Sequence, residues 1–194
     1  MTSDVYTESP EATPGPERRS ALSQAIEFVV MVVLAFLLAQ VMRTYVVQPF
    51  VVPSGSMLPT IQLGDHVLVN KFIYRFQKPA YGDIVVLDDP TGQTPMLIKR
   101  VVGVGGQTLD IRDDRVWIDG RPLDEPYTHG LPTQPGSVRT PIELPPDTVW
   151  VMGDNRTSSA DSRYIGAQPA ANVHGKAFVV YWPLSRLGVT FGLR

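Results

Sequence analysis

The chain has 194 residues, of which 43% are hydrophobic and 19% charged, and its formal net charge is −2. This length provides one domain of ordinary size with appendages, and the nearly balanced charge argues against a domain that grips nucleic-acid phosphates. The sequence contains no Cys, which excludes disulfides, thiolate nucleophiles and cysteine-ligated zinc. Its three His lie far apart with no His-x-x-x-His pair, so no metal site and no cofactor are expected.

The N-terminal segment is polar and rich in Pro, so it cannot bury enough apolar surface to fold. We therefore predict a disordered cytoplasmic tail over residues 1–24. The segment from Phe28 to Met42 then contains no charge, Pro or Gly. With its flanks, the segment 25–46 is long enough to cross the hydrocarbon core of a membrane as one helix.

Two other interpretations of this apolar segment compete with a membrane anchor. A buried helix of a soluble protein would keep a polar stripe, which this segment lacks. A cleaved signal peptide is the second, because Arg18 and Arg19 precede the segment, but no Ala-x-Ala follows Met42 closely. We therefore favour a retained single-pass anchor. The excess of Arg before it predicts the N-terminus inside the cell and the bulk of the chain outside.

From residue 47 onward the sequence consists of short apolar runs separated by turns rich in Gly, Pro and Asp, which is typical of β structure. No stretch there keeps a 3.6-residue period over ten residues. The predicted fold class is mainly β, with an antiparallel β domain over 47–194 behind the single helix. Turns are predicted at Asp113-Asp114 and at Asp119-Gly120. The predicted strands cover 65–73, 83–88, 97–104, 107–112, 115–118, 148–152 and 174–182.

The Ser54-Gly55-Ser56 segment, which lies between two prolines shortly after the span, is either a plain turn or the position of a catalytic serine. A serine nucleophile needs a base that accepts its proton. None of the three His stands in a suitable pattern, which leaves four Lys. A lysine base must be neutral near pH 7 and therefore needs an apolar environment that lowers its pKa. Lys71 and Lys99 both lie in apolar strands, and the pattern alone does not separate them.

The segment 153–163, GDNRTSSADSR, combines small polar side chains, carboxylates and two Arg after a hydrophobic strand. A structural loop held by Asp–Arg pairs would have the same composition. We interpret this segment as a rigid support for a neighbouring site.

The sequence contains four motifs, which are PSGSMLPT at 53–60, YGDIVV at 81–86, KRVVG at 99–103 and GDNRTSSADSR at 153–163. In these motifs it resembles the bacterial type I signal peptidase family, the leader peptidases that use a Ser/Lys dyad. The resemblance implies a coiled, partly barrel-like β core with a small, variable secondary β-region over 104–147. It also implies a serine endopeptidase that removes N-terminal signal peptides from exported preproteins, after small residues at −1 and −3, through an acyl-enzyme.

The resemblance assigns chemical roles at the matching positions. Ser56 corresponds to the nucleophile and Lys99 to the general base, which decides between Lys99 and Lys71. Ser54, together with the Ser56 amide, corresponds to the oxyanion hole. Ser159 corresponds to the hydroxyl that orients the lysine.

Two ion pairs are implied as braces of the site, one between Asp161 and Arg163 and the other between Asp154 and Arg100. The remaining expected site residues are apolar side chains that would form shallow substrate pockets. These are Phe50, Val52, Met57, Leu97 and Ile98.

The partners implied are exported preproteins and membrane lipid, at a bacterial cell membrane with the catalytic domain outside the cell. Trp182 and the Phe72-Ile73-Tyr74 cluster either contact lipid or belong to the core. One alternative is a self-cleaving repressor-type protease, which would carry a DNA-binding domain where this chain has an apolar helix. Another is an inactive membrane-tethered β domain that binds exported chains. An organellar inner-membrane peptidase of the same broad family is not distinguished by the sequence.

Overall fold

The computed structural model describes residues 21–41 and 46–191, which fall into an N-terminal helical unit and a β domain. Helix α1 covers Ala21–Val41. Its residues 22–41 form the one helix, within the described ranges, that is long and apolar enough to cross a membrane. Twenty residues rise about 30 Å, which matches the hydrocarbon core of a bilayer.

Helix α1 begins earlier than the predicted span of 25–46. Residues 21–24, which the sequence assigned to the tail, are helical, because Ala21 and Leu22 favour helix and Ser23 and Gln24 do not break it. The rest of the predicted tail and residues 42–45 of the predicted span lie outside the described residues.

The described part of the β domain contains eleven strands, one short α-helix and five 3₁₀ turns. Helix α2 covers Ser162–Ile165. The strands are β1 (Val47–Val51), β2 (His66–Asn70), β3 (Ile84–Asp88), β4 (Met96–Val104), β5 (Thr108–Arg112), β6 (Arg115–Ile118), β7 (Arg121–Pro122), β8 (Ile142–Glu143), β9 (Thr148–Met152), β10 (Gln168–Pro169) and β11 (Val173–Trp182).

The strands form two sheets in which every pairing is antiparallel. The larger sheet has the order β1-β2-β11-β3-β4-β9-β10, and the smaller has the order β7-β6-β5-β8. Register shifts in the β11–β2, β11–β3 and β4–β9 pairings bend the larger sheet, because an extra residue on one strand increases its local twist. The mainly β, antiparallel class predicted from the sequence is confirmed.

Burial along the strands follows the hydrophobic pattern of the sequence. In β2, Val67 and Val69 are buried while His66 and Leu68 are half-buried, as expected when alternate side chains face the core. Strands β3 and β4 are buried on both faces over most of their length, which explains their nearly continuous apolar runs.

Both predicted hairpin turns are confirmed. Asp113 and Asp114 join β5 to β6 with φ values of 50° and 59°, and Asp119 and Gly120 join β6 to β7 with φ values of 51° and 76°. Positive φ at both central residues matches the right-handed twist of the flanking strands.

Strand β2 is shorter than predicted, because the chain turns after Asn70. The Asn70 side-chain oxygen accepts hydrogen bonds from the amides of Phe72 and Ile73, at 2.9 and 3.1 Å, and so starts a tight turn. Lys71 therefore lies beyond the strand in which the sequence placed it.

The smaller sheet packs on the larger one through a shared apolar cluster. Trp150 and Met152 of β9 and Val102 of β4 contact Leu109 of β5 and Val116 of β6 in this cluster. The carboxyl end of β9, where loop 153–163 begins, is thereby fixed by the core of the smaller sheet.

Candidate active site

Ser56 lies in a tight turn, Gly55–Met57, which follows β1. Met57 is fully buried and packs with Ile61 in an apolar cluster beneath the turn. The Ile61 amide also donates a hydrogen bond of 3.0 Å to the Met57 carbonyl. The turn is thus anchored by its apolar side chains, and Ser56 beside them is only 6% exposed.

Lys99 extends from β4 to this serine. Its Nζ is hydrogen-bonded to Ser56 Oγ at 2.7 Å and donates to the Ile98 carbonyl oxygen at 3.1 Å. Lys99 is 3% exposed, so the pair is shielded from solvent. Ser56 and Lys99, which are 43 positions apart in the sequence, therefore lie within the hydrogen-bond distance expected of a nucleophile and its base.

The environment of Lys99 lowers its pKa from 10.5 to about 8. Burial is the largest cause, since an apolar surrounding disfavours the charged ammonium. The carboxylates of Asp161, Asp89 and Asp154 act in the opposite direction, because negative charge favours the protonated form. The neutral amine, whose lone pair accepts a proton, is therefore accessible near physiological pH.

The other candidate bases lie elsewhere. Lys71 sits in the turn after β2, His66 is close to a tyrosine hydroxyl, and His174 pairs with a surface carboxylate. Lys99 is hydrogen-bonded to Ser56. The structure therefore distinguishes Lys99 from Lys71, which the strand pattern did not.

Loop 153–163 packs directly behind the serine turn. The Asn155 amide donates to the Ser56 carbonyl oxygen at 3.0 Å, and the Asn155 side-chain amide donates to the Gly55 carbonyl oxygen at 3.1 Å. Gly153 approaches so closely that a Cβ there would stand 2.4 Å from the Ser56 carbonyl oxygen and 2.3 Å from Ser159 Oγ. The glycine is therefore required by the contact between the loop and the serine turn.

Both ion pairs expected from the sequence are formed in the structure. Asp154 accepts hydrogen bonds from Arg100 Nε at 2.8 Å and from its NH2 nitrogen at 2.7 Å, and both side chains are almost completely buried. Asp161 accepts from Arg163 Nε at 2.8 Å and from the Gly153 amide at 3.1 Å. The two pairs fix the start and the end of loop 153–163.

The two auxiliary serines differ in their contacts. Ser54 is exposed, and its hydroxyl donates to Ser56 Oγ at 3.3 Å. The Ser159 hydroxyl oxygen is buried beside Gly153 without a hydrogen-bond partner in the described structure. Lys99 Nζ is hydrogen-bonded to Ser56 and to a main-chain carbonyl, so the expected bond between Ser159 and the lysine is not present in this structure.

The expected apolar walls of the substrate groove need correction. Val52, Met57 and Ile98 are at most 2% exposed and belong to the core cluster beneath the serine turn, so their side chains present no surface to a substrate. Strand alternation predicts which residues share a face but not which face another segment covers. Phe50 and Leu97 are half-buried and keep some exposed surface.

Sequence reasoning missed two kinds of contact with loop 153–163. Thr60, at the end of the serine motif, donates its hydroxyl to Asp154 at 2.5 Å. Glu125, in the Pro-rich segment between β7 and β8, forms an ion pair with Arg156. The motif PSGSMLPT could have pointed to Thr60, but nothing local marks Glu125.

Among the residues described, no group of three or more His, Asp or Glu side chains is arranged to hold a metal ion. The polar groups at the site are hydroxyls, one amine and two buried carboxylate–guanidinium pairs. This set can attack a carbonyl, accept the proton released and support a developing oxyanion.

Several known proteins are similar to this chain over most of its length. A profile of the family described as signal peptidase, peptidase S26, matches residues 25–182. Signal peptidase I of Mycobacterium tuberculosis is 38% identical, over 91% of this chain and 78% of that protein. Signal peptidase I of Leptolyngbya laminosa is 37% identical over 93% of this chain and 91% of that protein.

Two further relatives extend the comparison. Signal peptidase I S of Bacillus subtilis is 32% identical over 90% of this chain and 98% of that protein. A solved signal peptidase I from Enterococcus faecalis is 30% identical and covers 52% of this chain and 97% of its own, with a TM-score of 0.46. The match over residues 25–182 and the identity to these relatives over most of their length show that this chain is a serine peptidase of the signal peptidase family, peptidase S26.

Proposed function

We propose that this protein is a membrane-anchored endopeptidase that removes signal peptides from exported preproteins by means of a Ser56–Lys99 dyad. The hydrogen bond of 2.7 Å between the buried Lys99 amine and Ser56 Oγ carries the proposal. The names of its relatives, signal peptidase I, supply the substrate class. Cleavage follows small residues at the −1 and −3 positions of the preprotein.

The reaction begins with neutral Lys99, which takes the Ser56 proton as Oγ attacks the scissile carbonyl. The ammonium so formed then gives its proton to the leaving amine, which is the N-terminus of the mature protein, and the signal peptide stays on Ser56 as an acyl ester. Lys99, neutral again, activates a water that hydrolyses the ester. The lowered pKa of Lys99 supports both steps, because a base is most effective when its pKa lies near the working pH.

The oxyanion of the tetrahedral intermediate needs donors that point to the same place. The Ser56 amide lies in the first turn of the Gly55–Met57 segment, where N–H groups have no partner within the turn. The Ser54 hydroxyl, 3.3 Å from Ser56 Oγ, is the second donor. Removing one donor of this kind typically costs about 2.7–4 kcal/mol of transition-state stabilisation.

An extended substrate segment fits along the open edge of β4. Strand β9 pairs with β4 only from Arg100 onward, while β3 covers the other edge from Met96. The Val101 amide and carbonyl bond toward the β3 side, so by alternation the main-chain groups of Ile98 face the open edge. A peptide added there as a strand brings its scissile bond to Lys99 and Ser56. Ile98 thus contributes its backbone to the groove, whereas its side chain belongs to the core.

Membrane attachment concentrates the enzyme where its substrates are held. Helix α1 anchors the chain in a single pass, and the β domain lies outside the cell. The β domain also exposes large apolar side chains, which we assign to contact with lipid because such residues favour the membrane interface. They include Phe72, Phe76, Phe178, Trp182, Leu184 and Leu187.

Cleavage of a defined preprotein tests this function. The full chain, reconstituted in lipid vesicles, is expected to cut a preprotein carrying Ala-x-Ala, so that the mature N-terminus begins after the −1 Ala. Replacing that Ala by Ile abolishes the product, as does Ser56→Ala in the enzyme. N-terminal sequencing of the product identifies the site. A product of equal yield from Ser56→Ala, or cleavage at an unrelated position, contradicts the proposal.

A further inference from the structure

A buried carboxylate from outside the recognised motifs holds Arg156 of loop 153–163. Glu125 accepts hydrogen bonds from this guanidinium at 2.5 and 3.0 Å. The Arg156 side chain is fully buried and that of Glu125 is 8% exposed, so water does not compensate either charge. Glu125 lies within 104–147, the span that the sequence suggested was a variable accessory region.

Hydrogen bonds within loop 153–163 connect Arg156 to the serine turn. Its Nε donates to the Gly153 carbonyl oxygen at 3.0 Å, and Arg163 donates to the Arg156 carbonyl oxygen at 2.8 Å. The Asn155 amide, one residue before Arg156, donates to the Ser56 carbonyl oxygen. Because Gly153 is in tight contact with the serine turn, a shift of this segment displaces Ser56.

A tyrosine two residues after Glu125 contacts the second buried arginine. The guanidinium carbon of Arg100 lies 4.0 Å from the centre of the Tyr127 ring, a cation–π contact shielded from water. The Tyr127 hydroxyl donates to Glu125 at 3.0 Å. Arg100 in turn holds Asp154. One short segment therefore contacts both arginines that fix the first half of loop 153–163.

We propose that Glu125 and Tyr127 are positioning residues of the peptidase reaction, holding Arg156 and Arg100 so that loop 153–163 keeps Ser56 aligned with Lys99. This inference rests on the proposed function. Its physical basis is that reaction rates fall steeply with misplacement: about 1 Å costs on the order of 10²-fold. Loss of Glu125 leaves a buried charge that moves toward water, and loss of the Tyr127 ring leaves one face of Arg100 uncovered.

Four variants test the proposal by kinetics. Glu125→Gln and Tyr127→Leu are expected to lower kcat by about 10- to 100-fold while KM changes by less than about twofold. Asp124→Asn, at the neighbouring exposed carboxylate, is expected to stay within about threefold of the wild type. Tyr127→Phe keeps the ring over Arg100 and loses only the hydroxyl bonded to Glu125, so its kcat is expected to fall less than that of Tyr127→Leu. The rising limb of the pH profile also moves to higher pH in the first two variants, because a loosened loop lets water reach Lys99. If these variants merely contain less folded protein, the plateau of the pH profile falls while its rising limb stays at the same pH. That result overturns the positioning role.

A second measurement is independent of catalysis. Hydrogen exchange at the Asn155 amide is expected to become faster in Glu125→Gln and in Tyr127→Leu, while amides of the β5–β6 hairpin keep their protection. Unchanged exchange at Asn155 together with wild-type kcat overturns the inference and leaves the Ser56–Lys99 proposal standing. If the wild type cleaves no preprotein, the proposed function fails, and the exchange result alone decides whether Glu125 and Tyr127 hold the loop.

Discussion

Replacement of Lys99 by Met is expected to lower kcat/KM by about 10⁴-fold, because it removes the amine that accepts the Ser56 proton and keeps a chain of similar length in the same apolar space. The folded protein is expected to be at least as stable as the wild type at pH 7. The native pKa of Lys99, about 8, lies below the ordinary value of 10.5, so below pH 8 the native state bears the cost of a buried ammonium that the unfolded chain does not. Met has no such cost.

Lys71→Met is the matched control for this experiment. Lys71 follows β2 and was the alternative base by strand pattern, and its replacement is expected to leave kcat/KM within about threefold of the wild type. Steady-state hydrolysis of an Ala-x-Ala peptide and thermal unfolding at pH 7 provide both readouts. A Lys99→Met enzyme that keeps a tenth or more of wild-type activity would contradict the assignment, as would an inactive Lys71→Met.

Replacement of Asp154 by Asn is expected to destabilise the β domain by about 3–5 kcal/mol. This carboxylate is fully buried and accepts two hydrogen bonds from Arg100 and one from Thr60. Asn keeps the shape of the side chain but leaves the Arg100 guanidinium as a buried charge without its partner, which is the costly way to break such a pair. Urea denaturation of the wild type and the variant, with equal slopes, measures the difference.

Two control variants test whether the loss of stability comes from leaving a buried charge without its partner. Asp147→Asn breaks the contact between Asp147 and Lys78 at 2.5 Å, in which both side chains are more than 70% exposed, and no measurable change is expected because solvent screens such charges. The double variant Asp154→Leu with Arg100→Leu removes both buried charges and is expected to lose less stability than Asp154→Asn. If Asp154→Asn is as stable as the wild type, the ion pair between Asp154 and Arg100 does not hold loop 153–163.

The architecture could be predicted from the sequence because its elements are encoded locally. The apolar run of α1, the alternation in β2 and the Asp-rich hairpins each carry a short-range signal that the structure reproduces. The choice between Lys99 and Lys71 was different, because both stand in apolar strands. Only the resemblance to a family separated them, and the hydrogen bond of Lys99 to Ser56 agrees with that choice.

What the sequence could not supply depends on contacts between distant segments. Val52, Met57 and Ile98 are apolar residues next to the dyad, and nothing local distinguishes a groove wall from a core side chain. Glu125 lies 31 positions from Arg156 in a Pro-rich segment, where a carboxylate is usually solvated. Glu125 meets Arg156 only in the folded domain, in which the smaller sheet packs against β9.

The pH dependence of kcat/KM tests most directly the claim that neutral Lys99 is the base for Ser56. Below its pKa of about 8 the lysine is protonated and cannot accept a proton, so the rate is expected to rise about tenfold per pH unit and to level off above pH 8. A single rising limb with a midpoint near 8 is the predicted result. A midpoint near 6.5, the ordinary value for His, or a rate still rising through pH 10 would contradict it.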